Sequence, residues 1–414
     1  MPSTLKNGLE AALTRAKGAL TQAKDQLSKV KSDTKTGKLV YTFFRAGKLR
    51  RKYSEFKREL DVLDQLCMQL DGLQTMPPSS FLRPDFFKLI HETMEHQPGE
   101  TLPLSDIFVA RGNYSSDAGR VTGLFVLEKK YRENDIQFLC NILTRRSLSE
   151  GILKCLGYRQ PPYNEDEPPY RPFFQLVMEL PDHPHKSLSY AISCDAMPPL
   201  GLRLQYAKQI TSIVSHVHEN GLVHKSIRPR TILLLEVSGE ENNITQIYLQ
   251  DWTYVRESSG ASSFLGVGQH WNRQIYQHPE VQGRPGRYIE TAYNDKHDLY
   301  GLGVTLLELF LWVPFVERVD KTDLNSPLKI SQLFEGRALS LGEANGGAPS
   351  RYRGDTEKLT SYPSVIQNVW VDIATHELAA IHPGLSLIIL ECLRGEARTA
   401  GVVSKALSTI EVEE

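Results

Sequence analysis

Apolar residues recur at steps of three or four through the start of the chain: Leu5, Leu9, Leu13, Ala16, Leu20, Ala23, Leu27 and Val30. Lys6, Arg15, Lys17, Lys24, Lys29 and Lys31 fill the other faces, so the spacing predicts an amphipathic helix. After a break from Ser32 to Gly37, Leu49, Tyr53, Phe56, Leu60, Leu63, Cys67 and Leu70 repeat the pattern, and a second helix is expected. Two apolar stripes must pack on something, and residues 1–75 are read as a helical arm. Gln74 to Arg83, with Pro77, Pro78, Ser79 and Ser80, has linker composition, and residues 76–99 are read as linker and entry helix.

Beyond that point the period changes. Val121–Lys130, Phe173–Pro181 and Ile247–Leu249 read as strands. Ile136, Leu139, Cys140 and Leu143 share one face of a helix expected from Asn134 to Arg146. Two loops are expected to interrupt this part: Gln160–Pro172, rich in Pro and acid, and Gly336–Pro363, rich in Gly, Ser, Ala and Arg.

Composition adds a boundary and an asymmetry. A chain of 414 residues, 40% hydrophobic and 23% charged, can bury a sizeable core in two or three domains. No run approaches twenty apolar residues and the start is polar and lysine-bearing, so neither a membrane span nor a secretory signal is expected, and a cytoplasmic protein is. The net charge of −1 hides 15 Lys and Arg against 4 Asp and Glu in residues 1–58, with 33 against 45 in the remainder. A basic arm on an acidic body suits a partner helix, self-association through residues 1–75, or peripheral binding to an anionic membrane surface; no nucleic-acid partner is implied. Cys67, Cys140, Cys155, Cys194 and Cys392 lack metal-ligand spacing and are expected to be reduced thiols. The twelve histidines form no ligand pattern either; His91 and His96, or His183 and His185, read as surface residues.

The candidate chemistry centres on Leu222–Leu235, LVHKSIRPRTILLL. It resembles the catalytic loop of protein kinases, roughly HRDLKPENILL, with His224, Lys225, Ile227, Arg228, Pro229, Ile232 and Leu233 keeping the outline. Ser226 stands where the family has Asp and Thr231 where it has Asn. In kinases that Asp orients the substrate hydroxyl and the Asn holds a second Mg²⁺. A Ser hydroxyl is no base at neutral pH, and losing a positioned general base costs about 10²- to 10⁴-fold in rate.

Further motifs follow in the family's order. Asp251-Trp252-Thr253 after a short strand is similar to the Mg-binding turn, with Asp251 kept as the metal candidate. Gln277-His278-Pro279-Glu280 resembles the APE triplet. Asp295–Val304 resembles the run opening a buried helix, so Asp298 should hold the backbone of the catalytic loop. Glu391–Arg394 followed by Arg398 looks like the late helix whose Arg pairs with the APE glutamate, implying a Glu280–Arg398 ion pair. Upstream, Ser105–Gly112 stands where the first strand and glycine-rich loop belong, with a single Gly112 for the phosphate cradle. Lys129, or Lys130 at one residue's slip, is the candidate for the third-strand phosphate lysine. Gln137 or Cys140 stands where the helix Glu should be, so the Lys–Glu ion pair should be missing. Glu179 and Leu180 would supply hinge backbone groups to adenine.

The resemblance implies an α+β, bilobal protein-kinase-like fold: a small β-rich lobe over residues 100–182 and a large helical lobe over 183–414, preceded by the amphipathic arm. It implies a pseudokinase that serves as a signalling scaffold or switch, needs no cofactor, and meets other signalling proteins; ATP and Mg²⁺ would bind weakly. A weakly active, atypical ATP-dependent kinase is the alternative. Lys48–Leu60, followed by Leu63, Leu70 and Leu73, resembles the end of the fungal HeLo-type helical domain. That likeness, with the helical bundles of mixed-lineage kinase domain-like proteins, implies a third possibility, a membrane-active cell-death effector restrained by the pseudokinase.

Overall fold

The structure, a computed structural model, describes residues 100–116, 119–130, 133–143, 151–160, 174–238, 243–257, 271–282, 293–320, 326–344 and 363–412. They fall within one compact unit, Asp85–Glu414. The helical arm of residues 1–75, the linker of 76–99 and, beyond Gln160, the Gln160–Pro172 loop lie outside the described residues.

Five strands form an antiparallel sheet in the order β1-β2-β3-β5-β4: β1 (Glu100–Thr101), β2 (Phe108–Ser116), β3 (Gly119–Lys130), β4 (Cys155–Arg159) and β5 (Phe174–Leu180). Successive side chains of a strand point to opposite faces. Val126 thus joins a core with Ile136, Leu139 and Cys140 of helix α1 (Glu133–Leu143), while Phe125 and Leu127 pack with Ala110 and Val177. Glu128 falls on the Val126 face.

From β6 (His185–Ser187) onward helices dominate. α2 (Leu188–Cys194) and α3 (Leu200–Glu219) lead to β7 (Leu222–Val223); β8 (Ile232–Ser238) and β9 (Asn243–Leu249) then form a hairpin beside β6, and β10 (Arg256–Glu257) pairs with β7. α4 (Asp295–Leu311) is buried at almost every position, because α3 and α7 (Pro383–Arg394) both pack on it. Its start is fixed by a capping box between Asn294 and His297, which meets backbone donors that the first turn leaves unpaired. Beyond α4, β11 (Val316–Arg318) pairs with β12 (Leu328–Ile330), and α5 (Gln332–Ala344), α6 (Pro363–Ile373) and α8 (Ala400–Ser408) complete the body. Trp370 of α6 stacks on Phe315, with ring centroids 4.4 Å apart.

α5 corrects the loop expected from Gly336. Glycine-rich composition suggested irregular chain, but Phe334 and Ala338 are fully buried one turn apart and Leu341 packs on the same core. That apolar face carries the helix to Ala344 despite Gly336. No helix among the described residues is long and apolar enough to cross a membrane.

Candidate functional site

β7 delivers the chain into the loop His224–Thr231, and α4 holds that loop from behind. The Asp298 carboxylate accepts hydrogen bonds from the backbone N–H of His224 (2.6 Å) and Lys225 (2.8 Å) and from the Tyr293 hydroxyl (2.7 Å), with His218 Nε2 at 3.1 Å. Burial works to raise this carboxyl, but the hydrogen bond and charge of His218 and the donors at His224 hold it below the usual range. A Cβ on Gly301 would stand 3.0 Å from the Tyr276 carbonyl oxygen and 3.2 Å from that of Ile227, so a glycine lets α4 pass this close to the loop. The Thr231 hydroxyl is directed at the carbonyl oxygens of Ser226 (2.7 Å) and Arg228 (2.9 Å). It braces the loop from within.

Opposite lies the turn after β9. Asp251 is left-handed (φ 68°) and heads a single helical turn, Trp252–Tyr254. Such a turn aims successive N–H groups at one point, a concavity that takes an anion. Here Glu128 of β3 fills it: one carboxylate oxygen accepts from Asp251 N–H and the other from Trp252 N–H, each at 2.6 Å. Charge-assisted bonds of this kind are among the stronger ones in proteins.

The Asp251 carboxylate is itself occupied. Its Oδ2 accepts from the Ser226 hydroxyl (2.6 Å), from Arg228 Nη2 (3.1 Å) and from Arg273 Nη2 (2.8 Å), the last carried by the single turn Trp271–Gln274. Arg228 also meets Asp106, at 2.5 Å, as does Arg230 at 3.4 Å. Asp106 lies between β1 and β2, and its segment is sewn to the loop: Asp106 N–H and the Ser105 hydroxyl both donate to the Arg230 carbonyl oxygen. Burial alone would raise the Asp106 carboxyl; the charges of Arg228, Arg230 and Arg273 hold it below its ordinary value. Between Ser226, Arg228, Arg273, Tyr276 and Tyr293 there remains a cavity of about 10 Å³, room for one water. The carboxylates of Asp106 and Asp251 are engaged by the chain's own guanidiniums, with Arg228 Nη1 and Arg230 Nε left without a hydrogen-bond partner among the described residues, and phosphates and a divalent cation would have to displace these contacts.

Several expected site residues are placed differently. Glu128, not Lys129, stands against the Asp251 turn. Lys129 is one register position further, opposite Gln175, and its side chain and that of Lys130 lie outside what is described. Gly112 sits within β2 opposite Gly123 and belongs to no loop; the connection nearest the site runs from Leu102 to Ile107 and closes on itself through Leu102 N–H to the Ile107 carbonyl oxygen. On α1, Gln137 donates to the Tyr158 hydroxyl (3.0 Å) and Cys140 faces Cys155. The Glu179 backbone N–H already donates to the Lys154 carbonyl oxygen, and its carboxylate pairs with Lys154 Nζ at 2.8 Å; Leu180 is buried opposite Leu124.

The expected Glu280–Arg398 pair is not formed. Both residues are exposed, and Glu280 instead lies 3.5 Å from His297 Nε2 and 3.9 Å from His278 Nδ1. Exposed charges gain little from any one partner, so local geometry decides. His278, Glu280 and His297 bring potential ligand atoms within 4.8 Å of one another, a grouping that sequence spacing did not suggest. The hydrogen bonds argue for a different role. His297 Nδ1 accepts from Asn294 N–H at 2.9 Å, so the ring proton sits on Nε2, facing Glu280. A nitrogen that donates to a carboxylate has no lone pair for a metal, and the trio serves as a link between Glu280 and the cap of α4.

His224 is wholly buried, its ring edge-on to Trp252 at 5.1 Å, and neither ring nitrogen has a partner among the described residues. Burial pushes this imidazole down from 6.5 to about 4. The unfolded chain therefore takes up a proton at a pH where the folded chain refuses it, and stability present above pH 6.5 is lost as pH falls toward 4. The full loss is roughly 3 kcal/mol. His278 and His297, also pushed down by burial, act in the same direction; His218, raised by its Asp298 contact against the pull of burial, opposes them. Thermal melts from pH 7 to pH 4.5 should show a falling midpoint, and His224→Phe should flatten that dependence. An unchanged slope in the variant would place the sensitivity elsewhere.

Comparison with known proteins adds partial likenesses. No protein-family model matches the chain. A protein kinase and PP2C-like domain-containing protein of Arabidopsis thaliana is 23% identical over 184 residues, 42% of this chain and 26% of that protein. The sporulation protein kinase mde3 of Schizosaccharomyces pombe is 29% identical over 117 residues, 28% of this chain and 19% of its own length. The serine/threonine-protein kinase nekl-2 of Caenorhabditis elegans is 30% identical over 110 residues, 26% of each chain. The matched stretches span about a quarter or less of these relatives. They mark a protein-kinase-like region in a chain of mixed helix and sheet.

Proposed function

We propose that this region is a bilobal pseudokinase, in which a domain of kinase ancestry has lost phosphoryl transfer and acts as a signalling scaffold or conformational switch coupled to the N-terminal helical arm. The observation that carries the proposal is the state of the Asp251 turn. In a working kinase its carboxylate faces a metal and its surroundings face phosphates. Here Glu128 closes the turn's backbone amides, and Ser226, Arg228 and Arg273 engage the carboxylate. The partners are other signalling proteins, and neither ATP nor Mg²⁺ is required.

Loss of two side chains from the loop is not the whole of the defect, and this separates the proposal from the weak-kinase alternative. Were Ser226 and Thr231 the sole impediments, Ser226→Asp with Thr231→Asn would return a base and an amide ligand, raising phosphoryl transfer by about 10²-fold or more. With Glu128 and the two guanidiniums in place, the double variant is expected to stay at background in a radiolabelled ATP assay against generic protein substrates. A clear gain would establish the chain as a crippled kinase instead.

A further inference from the structure

Two cysteines from separate elements meet beneath the sheet. Cys140 lies on the inner face of α1 and Cys155 begins β4, and their sulfurs are 3.8 Å apart. The meeting has a structural cause. β4 pairs with β5 through Cys155↔Met178 and then Gly157↔Val177, so Leu156 is an extra residue and the strand carries a bulge. Bulges re-aim side chains. This one leaves Leu156 with the Phe125–Val177 cluster and sets Cys155 in the same core as Cys140, Ile136 and Leu139. Neither cysteine is in a disulfide in the structure.

We propose that Cys140 and Cys155 are an oxidisable pair, a modification site at which a hydroperoxide forms a disulfide pinning helix α1 to strand β4. The sulfurs must close from 3.8 Å by about 1.8 Å to reach bonding distance, a shift that side-chain rotation can supply. Roles are set by the hydrogen bond between them. Cys155 S–H donates to the Cys140 sulfur, which favours the Cys140 thiolate, while that bond and burial push the Cys155 thiol up. The Cys140 thiolate attacks the peroxide oxygen and breaks the O–O bond, becoming a sulfenic acid as the departing hydroxide takes a proton to leave as water. The Cys155 sulfur, losing its proton, then attacks the sulfenic sulfur and expels a second water. Two thiols and one hydrogen peroxide thus give one disulfide and two waters.

The pair is 1% and 7% exposed, so oxidation waits on local opening of the α1–β4 contact and will lag behind that of exposed Cys194. Once formed, the bond would close a loop of 16 residues and restrict α1, which also touches β3 and β5.

The full chain would be treated with graded hydrogen peroxide, blocked with iodoacetamide under denaturing conditions and mapped by mass spectrometry. The expected product is a Cys140–Cys155 linked peptide, two hydrogens lighter than its parts and reversed by dithiothreitol, with a higher melting midpoint for the oxidised protein. In Cys155→Ser, Cys140 should stop at a sulfenic acid that dimedone traps. Should both cysteines remain fully alkylatable at doses and times well beyond those that exhaust Cys194, or should either link to another cysteine in preference, they are packing residues and the proposal is wrong. Wild-type chemistry alone decides this, so a poorly folding variant does not blunt the test.

Discussion

Replacing Asp251 by alanine is expected to destabilise the protein by about 3–5 kcal/mol, the scale for removing one partner from a buried ionic network. Arg228 and Arg273, 2% and 16% exposed at the side chain, would be left with Asp106 as their remaining carboxylate, and Ser226 would lose its acceptor. The size of the effect separates two roles for the same residue. An aspartate kept for a metal is an unpaired acid in metal-free buffer, and its removal relieves a desolvated charge at little cost. An aspartate that neutralises guanidiniums is part of the core. Urea melts of the wild type and variant with EDTA present would measure the difference, and a change below about 1 kcal/mol would remove Asp251 from the structural network.

The second large effect is expected at Glu128. By family pattern, Glu128→Lys looks like a repair, since it puts a lysine against the Asp251 turn. The geometry predicts the opposite. The change removes the acceptor for the Asp251 and Trp252 N–H groups and adds a cation beside a site that already holds Arg228 and Arg273. Glu128→Gln keeps the shape and one good acceptor and should cost about 1–3 kcal/mol, whereas Glu128→Lys should cost more than Gln and leave the protein largely unfolded or aggregated on expression. Circular dichroism melts of the two variants side by side provide the check. A folded, stable Glu128→Lys protein would mean that the turn does not depend on this carboxylate.

Much of the site's outline was legible from motif order. The segment Leu222–Leu235, the Asp251 turn and the helix opening at Asp295 come together because each motif carries a backbone requirement as well as a side chain. The fastening of the His224 and Lys225 amides to Asp298 is one such requirement. What filled the site was not legible. β3 is apolar on both faces, with Phe125 and Leu127 against one cluster and Val126 against the other, so alternation alone could not say whether 128 or 129 turned inward. A slip of one residue exchanges the faces, and the Lys129-Lys130 pair drew the assignment one position past Glu128, whose carboxylate meets the turn.

Asp106 was invisible for another reason. Its ion-pair partner Arg230 is 124 residues away along the chain, and no local pattern reports a pairing at that distance. A signal did exist for Cys140, on the inward stripe of α1, but its partner depended on the bulge at Leu156, which the five residues of β4 do not announce. Glu280 shows the limit of family resemblance: the motif is present, yet its acid turns to His297 and His278, because an exposed pair is too weakly fixed for ancestry to specify.

The most direct test of the central claim is a thermal shift of the purified chain with millimolar ATP, with and without Mg²⁺. A nucleotide at about 100 times its dissociation constant would stabilise the folded state by roughly 2.7 kcal/mol, a readily visible rise. The filled Asp251 turn predicts no shift with ATP, and none with ATP and Mg²⁺ together. A Mg²⁺-dependent rise that Lys129→Ala abolishes would contradict it, showing that nucleotide displaces the internal network and that the site still works as a nucleotide site.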